Sequence, residues 1–497
     1  MRLAPLIVIV LFALAARAAD PSAVRPPIEP LFRAVDLALG ESARVELSGG
    51  RAVTVKLLDL KEHRCEMRGA VRKAVVTVEV AGRRAELVCA TYNLPKTVGG
   101  VQIDCPVTRG YVANLNRKLN VWAMDKDARF RLWPAGSPWV RPRTFAYPVN
   151  QRWFASDTQM ANDPCYVNAC DTPGRKKVYY HYGLDFGGAE GMVDVLAATD
   201  GLVVSRGGKT VRGKHPPQLR GRADVVYLRD DRGWYYRYSH LMRIEESLAL
   251  GQLVTMGTKI GTLGKEGASG GWSHLHYGIS YPQPSGRYGA AYGYPFIWQA
   301  YRAQYCPKLV AVARPHHFIW SGDGVTLDAS KSWSAEGLPL QFEWTFADGS
   351  TATGARVKRS YPRPGIYPEI VKVTDSAGRV EYDFGVVQVA NREAPAEGPS
   401  GIHAAYAPTL DLRPGQEITF KVRSFRTQHG EEVWDFGDGT PTVSVCSDGL
   451  KEYHNPDGYA ITTHSFAEPG DYLVSVRRTN ERGFESIDRL HVRIDRD

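Results

Sequence analysis

The stretch Trp272-Ser-His-Leu-His-Tyr-Gly-Ile-Ser280 is rich in apolar and aromatic residues, a composition that indicates a β-strand. Successive side chains of a strand point to opposite faces, so His274 and His276 are predicted to share one face. Upstream, His181-Tyr-Gly-Leu-Asp185 adds a third imidazole and a carboxylate. In a straight strand these two would stand about 13 Å apart, too far for ligands that each lie about 2 Å from one metal ion. The chain is therefore predicted to bend between them, and Gly183 permits it.

This donor set predicts zinc. Two imidazoles and one carboxylate leave a tetrahedral zinc ion with one open position, which is the pattern of a catalytic rather than a structural site. For the cysteines of the chain, a metal site is the rival interpretation to disulfide bonds, but the sequence has no CxxC pair to support it.

A third stretch supplies another histidine. The segment Trp234-Tyr-Tyr-Arg-Tyr-Ser-His240 follows the polar turn Asp230-Asp-Arg-Gly233 and the strand-like run Asp224-Val-Val-Tyr-Leu-Arg229, and together these predict a β-hairpin. Period-two alternation predicts Trp234, Tyr236, Tyr238 and His240 on one face, from which His240 would reach the site. If one histidine of the HxH pair binds the metal, the other and His240 form a pair of unligated imidazoles.

These motifs resemble the M23 peptidases of the lysostaphin and LytM type, which cleave peptide cross-links in bacterial peptidoglycan. The resemblance covers about residues 145 to 300. Besides HxxxD and HxH it includes Ala197-Ala-Thr-Asp-Gly201, the run Leu250-Gly-Gln-Leu-Val-Thr-Met-Gly-Thr-Lys-Ile-Gly261 and the glycine-rich residues 264–271. The order and spacing of these motifs, rather than any one of them, carry the resemblance.

The resemblance implies a residue-by-residue assignment. His181, Asp185 and His276 would bind Zn²⁺, and His240 and His274 would be the unligated catalytic histidines. Zinc would activate water and polarise the scissile carbonyl. One histidine would act as general base, with His274 the expected one, and the other would stabilise the oxyanion. Two departures, Trp272-Ser273 in place of the usual Gly-Pro and the basic stretch 207–222, bear on substrate preference.

The first residues predict export. A charged start, an apolar run too short to span a bilayer and Ala16-Arg-Ala18 form a signal peptide over residues 1–18 with its cleavage site. No later stretch is apolar and long enough to cross a membrane, so the product is expected in the periplasm, on the cell wall or secreted. Loss of Arg2 and Arg17 would change the net charge from +9 to +7, which favours an anionic cell wall. The basic residues form no nucleic-acid-binding motif.

Seven cysteines in an exported chain predict disulfides, with at least one cysteine left over. Cys165 and Cys170 are close enough in sequence to close a small loop. The pairing of the cysteines at 65, 89, 105 and 306 stays open, and Cys446 is expected to be solitary.

The chain is predicted to be all-β and multidomain, because its length exceeds a single core and its apolar runs are short and alternating. An N-terminal β domain of unknown role (19–140) would precede an M23-like antiparallel sheet domain (141–305). Two similar segments follow, at 308–390 and 403–497, joined by a linker at 391–402. Helix is expected to be scarce outside the signal and residues 294–305.

The repeated segments resemble PKD domains, which are small β-sandwiches. The second contains Val433-Trp-Asp-Phe-Gly-Asp-Gly-Thr440; the first is a partial match, with Ala347 at the usual glycine. A tryptophan at this position is normally core, so Trp344 and Trp434 are expected to pack inside their sandwiches. The preferred role for these domains is a spacer, and the alternative is binding of polysaccharide or protein.

Three functions remain open at this stage. The first is a zinc endopeptidase acting on a peptidoglycan cross-link or interpeptide bridge. The second keeps the zinc chemistry but acts on extracellular protein. The third is a non-catalytic wall- or matrix-binding protein that uses the M23-like fold as a recognition groove.

Overall fold

The computed structural model describes residues 29–67, 69–89, 92–112, 120–159, 165–167, 178–214 and 222–496. Strands dominate these residues, which confirms the all-β, multidomain prediction. The predicted signal peptide and Cys170 lie outside the described residues, so the signal and the Cys165–Cys170 disulfide remain predictions, as do the domain boundaries. No helix among the described residues is both long and apolar enough to cross a membrane.

The N-terminal strands form two four-stranded antiparallel sheets, in the orders β1-β8-β7-β6 and β2-β3-β4-β5. Buried valines and leucines alternate with exposed charged residues along them, as expected for sheets with one face on a core. The elements are β1 (Arg33–Leu37), β2 (Ser42–Glu46), β3 (Ala52–Arg64), β4 (Val71–Val80), β5 (Arg83–Cys89), β6 (Lys96–Val98), β7 (Val101–Thr108), α1 (Arg109–Val112) and β8 (Ala128–Pro134).

The central part contains an eight-stranded sheet in the order β11-β20-β16-β15-β13-β14, with β18 added to β13 and β21 to β20. A three-stranded sheet β12-β19-β17 and the pair β10-β9 complete it. The elements are β9 (Cys165–Val167), β10 (Val178–Tyr180), β11 (Leu184–Gly187), β12 (Asp194–Leu196), β13 (Gly201–Arg206), β14 (Lys209–Thr210), β15 (Val226–Arg229), β16 (Tyr235–Ser239), β17 (Leu241–Ile244), β18 (Leu253–Val254), β19 (Lys259–Leu263), β20 (His274–Pro282), β21 (Tyr288–Ala291) and α2 (Tyr294–Tyr305).

The C-terminal part forms two sandwiches whose sheets meet edge to edge at one parallel pairing of β29 with β37. The elements are β22 (Leu309–Val310), β23 (His317–Trp320), β24 (Gly324–Asp328), β25 (Trp333–Ser334), β26 (Leu340–Thr345), β27 (Thr351–Thr353), β28 (Arg356–Ser360), β29 (Gly365–Asp375), β30 (Val380–Ala390), β31 (Gly401–Ala407), β32 (Ile418–Phe425), β33 (Glu432–Asp435), β34 (Val443–Val445), β35 (Ala460–His464), β36 (Gly470–Thr479) and β37 (Glu485–Ile494).

The predicted core tryptophans of the two sandwiches are both fully buried, at Trp344 and Trp434. The turns after them differ. Gly437 adopts a φ of 74°, in the left-handed region that favours glycine, whereas Ala347, at the matching position, is not among the residues with positive φ. The backbone N–H of Ala347 donates instead to the Glu369 carboxylate at 2.7 Å. The first copy therefore tolerates alanine because its turn takes another backbone conformation.

The core of the central part is aromatic. Trp234, Tyr236 and Tyr238 of the predicted hairpin are buried there with Tyr277 and helix α2, which spans the predicted residues 294–305. Residues 226–229 and 235–239 pair antiparallel, which confirms the predicted hairpin. Burial of these large aromatic side chains, at about 25 cal/mol per Å² of apolar area, stabilises the packing of the central strands.

Candidate metal centre and active site

Two neighbouring strands bring the first three predicted ligands together. β11 and β20 pair antiparallel, and their register places Asp185 directly opposite His276. Residues directly opposite in an antiparallel pair have side chains on the same face. His274 lies on that face two residues before His276, as the strand period predicts.

The predicted bend between His181 and Asp185 is present. β10 ends at Tyr180 and β11 begins at Leu184, so His181 lies in the irregular segment between two strands. A Cβ atom at Gly183 would lie 2.6 Å from Cε1 of His276 and 2.8 Å from the backbone oxygen of Tyr277. Gly183 is therefore required because the His276 ring packs against its backbone, and any side chain there would displace that ring.

The predicted ligand atoms converge on one point. Nε2 of His181 lies 2.9 Å from Nδ1 of His276 and 3.1 Å from Oδ1 of Asp185. Nδ1 of His276 lies 3.0 Å from the same carboxylate oxygen. Three atoms this close together can all bind one ion about 2 Å from each, which is the distance at which zinc binds imidazole and carboxylate. The residues present therefore fit a metal centre.

The environment keeps these groups in the protonation states that bind metal. Burial lowers the pKa of His276 to about 3, so its ring is neutral. Burial opposes ionisation of Asp185, but the nearby His181 and His274 rings hold the pKa of that carboxyl well below its ordinary value. Metal ligands must be neutral imidazole and ionised carboxylate, and both are favoured here near neutral pH.

The alternation argument for His240 is wrong, although the residue lies beside the site. Ser239 lies directly opposite His276, so its side chain is on the face that carries the predicted ligands. Tyr238 is on the opposite face and is buried in the core, and strict alternation would direct the side chain of His240 into the core as well. β16 ends at Ser239, and His240 adopts a φ of 68°. Such a left-handed conformation is uncommon for a residue other than glycine, and here it turns His240 toward His274. The two ring centroids are 4.6 Å apart.

Each unligated histidine is oriented by a backbone carbonyl. Nδ1 of His240 lies 2.6 Å from the oxygen of Glu266, and Nδ1 of His274 lies 3.1 Å from the oxygen of Trp272. A carbonyl only accepts, so we assign the proton of each ring to Nδ1, which leaves Nε2 as an acceptor. Nε2 of His274 lies 3.8 Å from Oδ2 of Asp185, on the side of the ligand cluster. The Nε2 atom of His274 therefore faces the cluster of predicted ligands.

Both unligated histidines are neutral at ordinary pH. Burial, followed by the charges of nearby histidines, lowers the pKa of His240 well below its usual value. Burial also lowers the pKa of His274, against the opposing effect of Asp185. A neutral imidazole can accept a proton from water, which the protonated ring cannot do.

Some residues around the site are missing from the sequence prediction. Asp224 accepts the backbone N–H of His240 at 3.0 Å, and Arg222 forms an ion pair with the same carboxylate. Arg222 also approaches Nδ1 of His240 at 3.1 Å, but that nitrogen cannot accept while it donates to Glu266, so we take the shorter carbonyl contact as the hydrogen bond. The contact of Asp224 with His240 could not be predicted from the sequence, because a carboxylate two residues before a strand forms no pattern that indicates it.

Comparison with known families agrees with the site. Residues 179–287 match Peptidase family M23, and residues 308–389 and 403–488 each match the PKD domain. The M23 match contains all five histidine and aspartate positions of the site. The fold and the His–Asp–His cluster define a metallopeptidase type of site. The chain contains an M23-family peptidase domain followed by two PKD domains.

Solved structures similar to parts of the chain include one that is described as an M23 protein. The catalytic domain of a prophage-encoded M23 protein, EnpA from Enterococcus faecalis, is 22% identical over 22% of this chain and 74% of its own length, with a TM-score of 0.17. Helicobacter pylori Csd3 is 14% identical over 53% of this chain and 82% of its own length, with a TM-score of 0.21. At scores this low the assignment rests on the family matches.

Proposed function

We propose that the chain is an exported zinc metalloendopeptidase that hydrolyses peptide bonds in bacterial peptidoglycan, at a cross-link or an interpeptide bridge. The convergence of His181, Asp185 and His276 beside two neutral, unligated imidazoles is the observation that carries this proposal. Zinc bound by these three side chains would supply Lewis acidity, activating water and polarising the scissile carbonyl.

The two histidines outside the proposed ligand set have different roles in the reaction. His274 takes a proton from the attacking water at Nε2, because its Nδ1 is engaged by the Trp272 carbonyl. Having gained that proton, the ring can return it to the leaving amine. His240, whose ring centroid lies 4.6 Å from that of His274, stabilises the negative charge that develops on the carbonyl oxygen when its ring carries a proton on Nε2, since an unprotonated Nε2 can only accept.

The substrate class rests on charge and compartment. The predicted mature chain carries a net charge of +7, that is +9 less the two arginines of residues 1–18, and a cationic protein is attracted to an anionic wall. The predicted signal peptide would deliver the chain to the compartment where peptidoglycan lies. The PKD domains would add contacts to polysaccharide or protein.

The test is hydrolysis of purified peptidoglycan by the zinc-loaded mature chain, with the released muropeptides identified by mass spectrometry. The wild type is expected to release peptides cut at one defined bond. His274→Ala is expected to lower the rate by roughly 100- to 10,000-fold, the usual contribution of a general base. His429→Ala, which makes the same chemical change at an exposed histidine, should leave the rate unchanged.

Other outcomes assign other functions. Cleavage of denatured protein with intact peptidoglycan would replace the proposal with an extracellular protease. Binding to the wall without hydrolysis, by wild type and His274→Ala alike, would identify a non-catalytic binding protein.

A further inference from the structure

The peptide unit between Trp272 and Ser273 is held from two sides. Its carbonyl oxygen accepts from Nδ1 of His274 at 3.1 Å, as described above. Its N–H donates to the hydroxyl of Tyr459 at 2.7 Å. Because a peptide unit is planar and rigid, the direction of the N–H fixes the direction of the carbonyl. Tyr459 therefore sets the position of the acceptor that orients His274.

Tyr459 belongs to the second PKD domain, 186 positions from Ser273 in the chain. Its side chain is buried, and its hydroxyl lies 2.8 Å from Nδ1 of His403 in the same domain. Burial lowers the pKa of His403 to about 3, so this ring is neutral. Since the hydroxyl accepts from Ser273, its own proton is free to be donated to Nδ1 of His403. The Tyr459 hydroxyl therefore accepts one hydrogen bond and donates another.

The same domain also holds the residues on either side of this peptide unit. The indole of Trp272 stacks on the imidazole of His274, with centroids 3.8 Å apart and planes inclined by 13°. The ring of His403 lies edge-on to the same indole, with the two ring centroids 5.3 Å apart. Arg423 donates to the backbone oxygen of Gly271 at 2.6 Å. We call the set Trp272, Ser273, His403 and Tyr459 the PKD clamp.

We propose that Tyr459 is a positioning residue for the peptidase reaction: through the Trp272–Ser273 peptide it holds His274 with Nε2 directed at the reacting water. The second PKD domain is then part of the active-site wall and not a spacer. This inference rests on the proposed function, because it gives His274 the role of base. Nothing in the HxH motif points to Tyr459, since the contact exists only when the second PKD domain is docked.

The test uses the full-length chain with Tyr459→Phe, which removes the hydroxyl and retains the ring. Tyr406→Phe is the matched control, because Tyr406 is a buried tyrosine of the same domain whose hydroxyl donates to a backbone oxygen of its own domain, that of His491. The substrate is a soluble cross-linked muropeptide prepared from peptidoglycan. Tyr459→Phe is expected to lower kcat by roughly tenfold, since a small misplacement of a catalytic group is costly, and to leave KM within about twofold.

A second readout is independent of catalysis. Hydrogen exchange of the backbone amides of residues 271–276 is expected to be faster in Tyr459→Phe than in the wild type, because the amide of Ser273 loses its acceptor. Tyr406→Phe should show the wild-type rate there. If the wild type hydrolyses nothing, the proposed function fails while the exchange data still decide whether Tyr459 orders the segment.

A second pair of variants covers the case in which Tyr459→Phe does not fold. His403→Asn keeps an acceptor for the tyrosine hydroxyl and should retain most of kcat, whereas His403→Leu removes it and should resemble Tyr459→Phe. Equal kcat and equal exchange in the wild type and Tyr459→Phe would overturn the inference. So would equal values in His403→Asn and His403→Leu.

Discussion

The two PKD domains share a motif and a sandwich fold, and both contact the segment around Ser156, but the second also contacts the loop that leads into β20. In the first domain, Arg314 donates to the backbone oxygen of Ser156 at 2.7 Å and lies 4.1 Å from the ring centroid of Phe154. The second contacts the loop that leads into β20, through Tyr459 and Arg423. Membership of one domain family therefore does not assign one role, and the docking contacts distinguish a structural support from a part of the active site.

The electrostatics of the two interfaces also differ. Arg314 of the first PKD domain is paired with Asp383, and both side chains are fully buried. At the second interface two carboxyls face each other, Asp157 of the peptidase side and Asp488 of β37, and Oδ1 of each has no other hydrogen-bond partner. Burial, and then the charge of Asp157, raises the pKa of Asp488 well above its ordinary value. We interpret the pair as two carboxyls that share a proton.

Arg314→Ala should have the largest effect on stability and little effect on catalysis. It leaves the buried Asp383 carboxylate unpaired, which typically costs about 3–5 kcal/mol, so Tm should fall by several degrees. The kcat of the folded protein should stay within about twofold of wild type, because no clamp residue is touched. Arg356→Ala, at an exposed ion pair with Asp328, is the control and should cost less than about 1 kcal/mol. If Arg314→Ala lowers kcat in protein that is fully folded, the first PKD domain also affects catalysis, and the proposed difference between the two domains is contradicted.

Asp157→Asn should flatten the pH dependence of stability. Burial raises the pKa of Asp157 to about 6, so the folded state binds this proton more tightly than the unfolded state does. The stabilisation is therefore complete below the unfolded pKa of about 4 and is lost as the pH rises through about 6. The Tm of the wild type should fall over this window more steeply than that of Asp157→Asn. The measurement is the Tm as a function of pH by calorimetry. The control Asp231→Asn, at an exposed position, should keep the wild-type dependence of Tm on pH.

Trp272→Leu should have a smaller effect than the two substitutions above, and that effect should be on kcat. A stacked aromatic pair contributes about 0.5–1.5 kcal/mol, so losing the ring that packs on His274 should lower kcat by roughly two- to tenfold. Trp320→Leu makes the same change in the first PKD domain and should leave kcat unchanged. Steady-state kinetics on the soluble muropeptide distinguish the two variants, and an equal response from both would contradict a special role for the second interface.

Much of the site was predictable from short motifs, because the ligands lie in local patterns. HxH on a strand places His274 and His276 on one face, the glycine within HxxxD permits the bend that brings His181 toward Asp185, and helix α2 was predicted at its observed position. The conformation of His240 was not predictable, since alternation gives no warning of a left-handed residue at a strand end. Tyr459 and His403 were missed for another reason: their contacts with the catalytic loop depend on docking of a distant domain, which no local pattern encodes.

The most direct test of the account is the zinc content of the purified chain after exhaustive dialysis, compared between wild type, Asp185→Asn and His240→Ala. We expect a stoichiometric zinc ion in the wild type and in His240→Ala, because His240 is not among the proposed ligands. Asp185→Asn should lose it, because the only charged ligand is gone. Zinc retained by Asp185→Asn at the wild-type level, or lost from His240→Ala with the fold intact, would contradict the assignment of the metal centre.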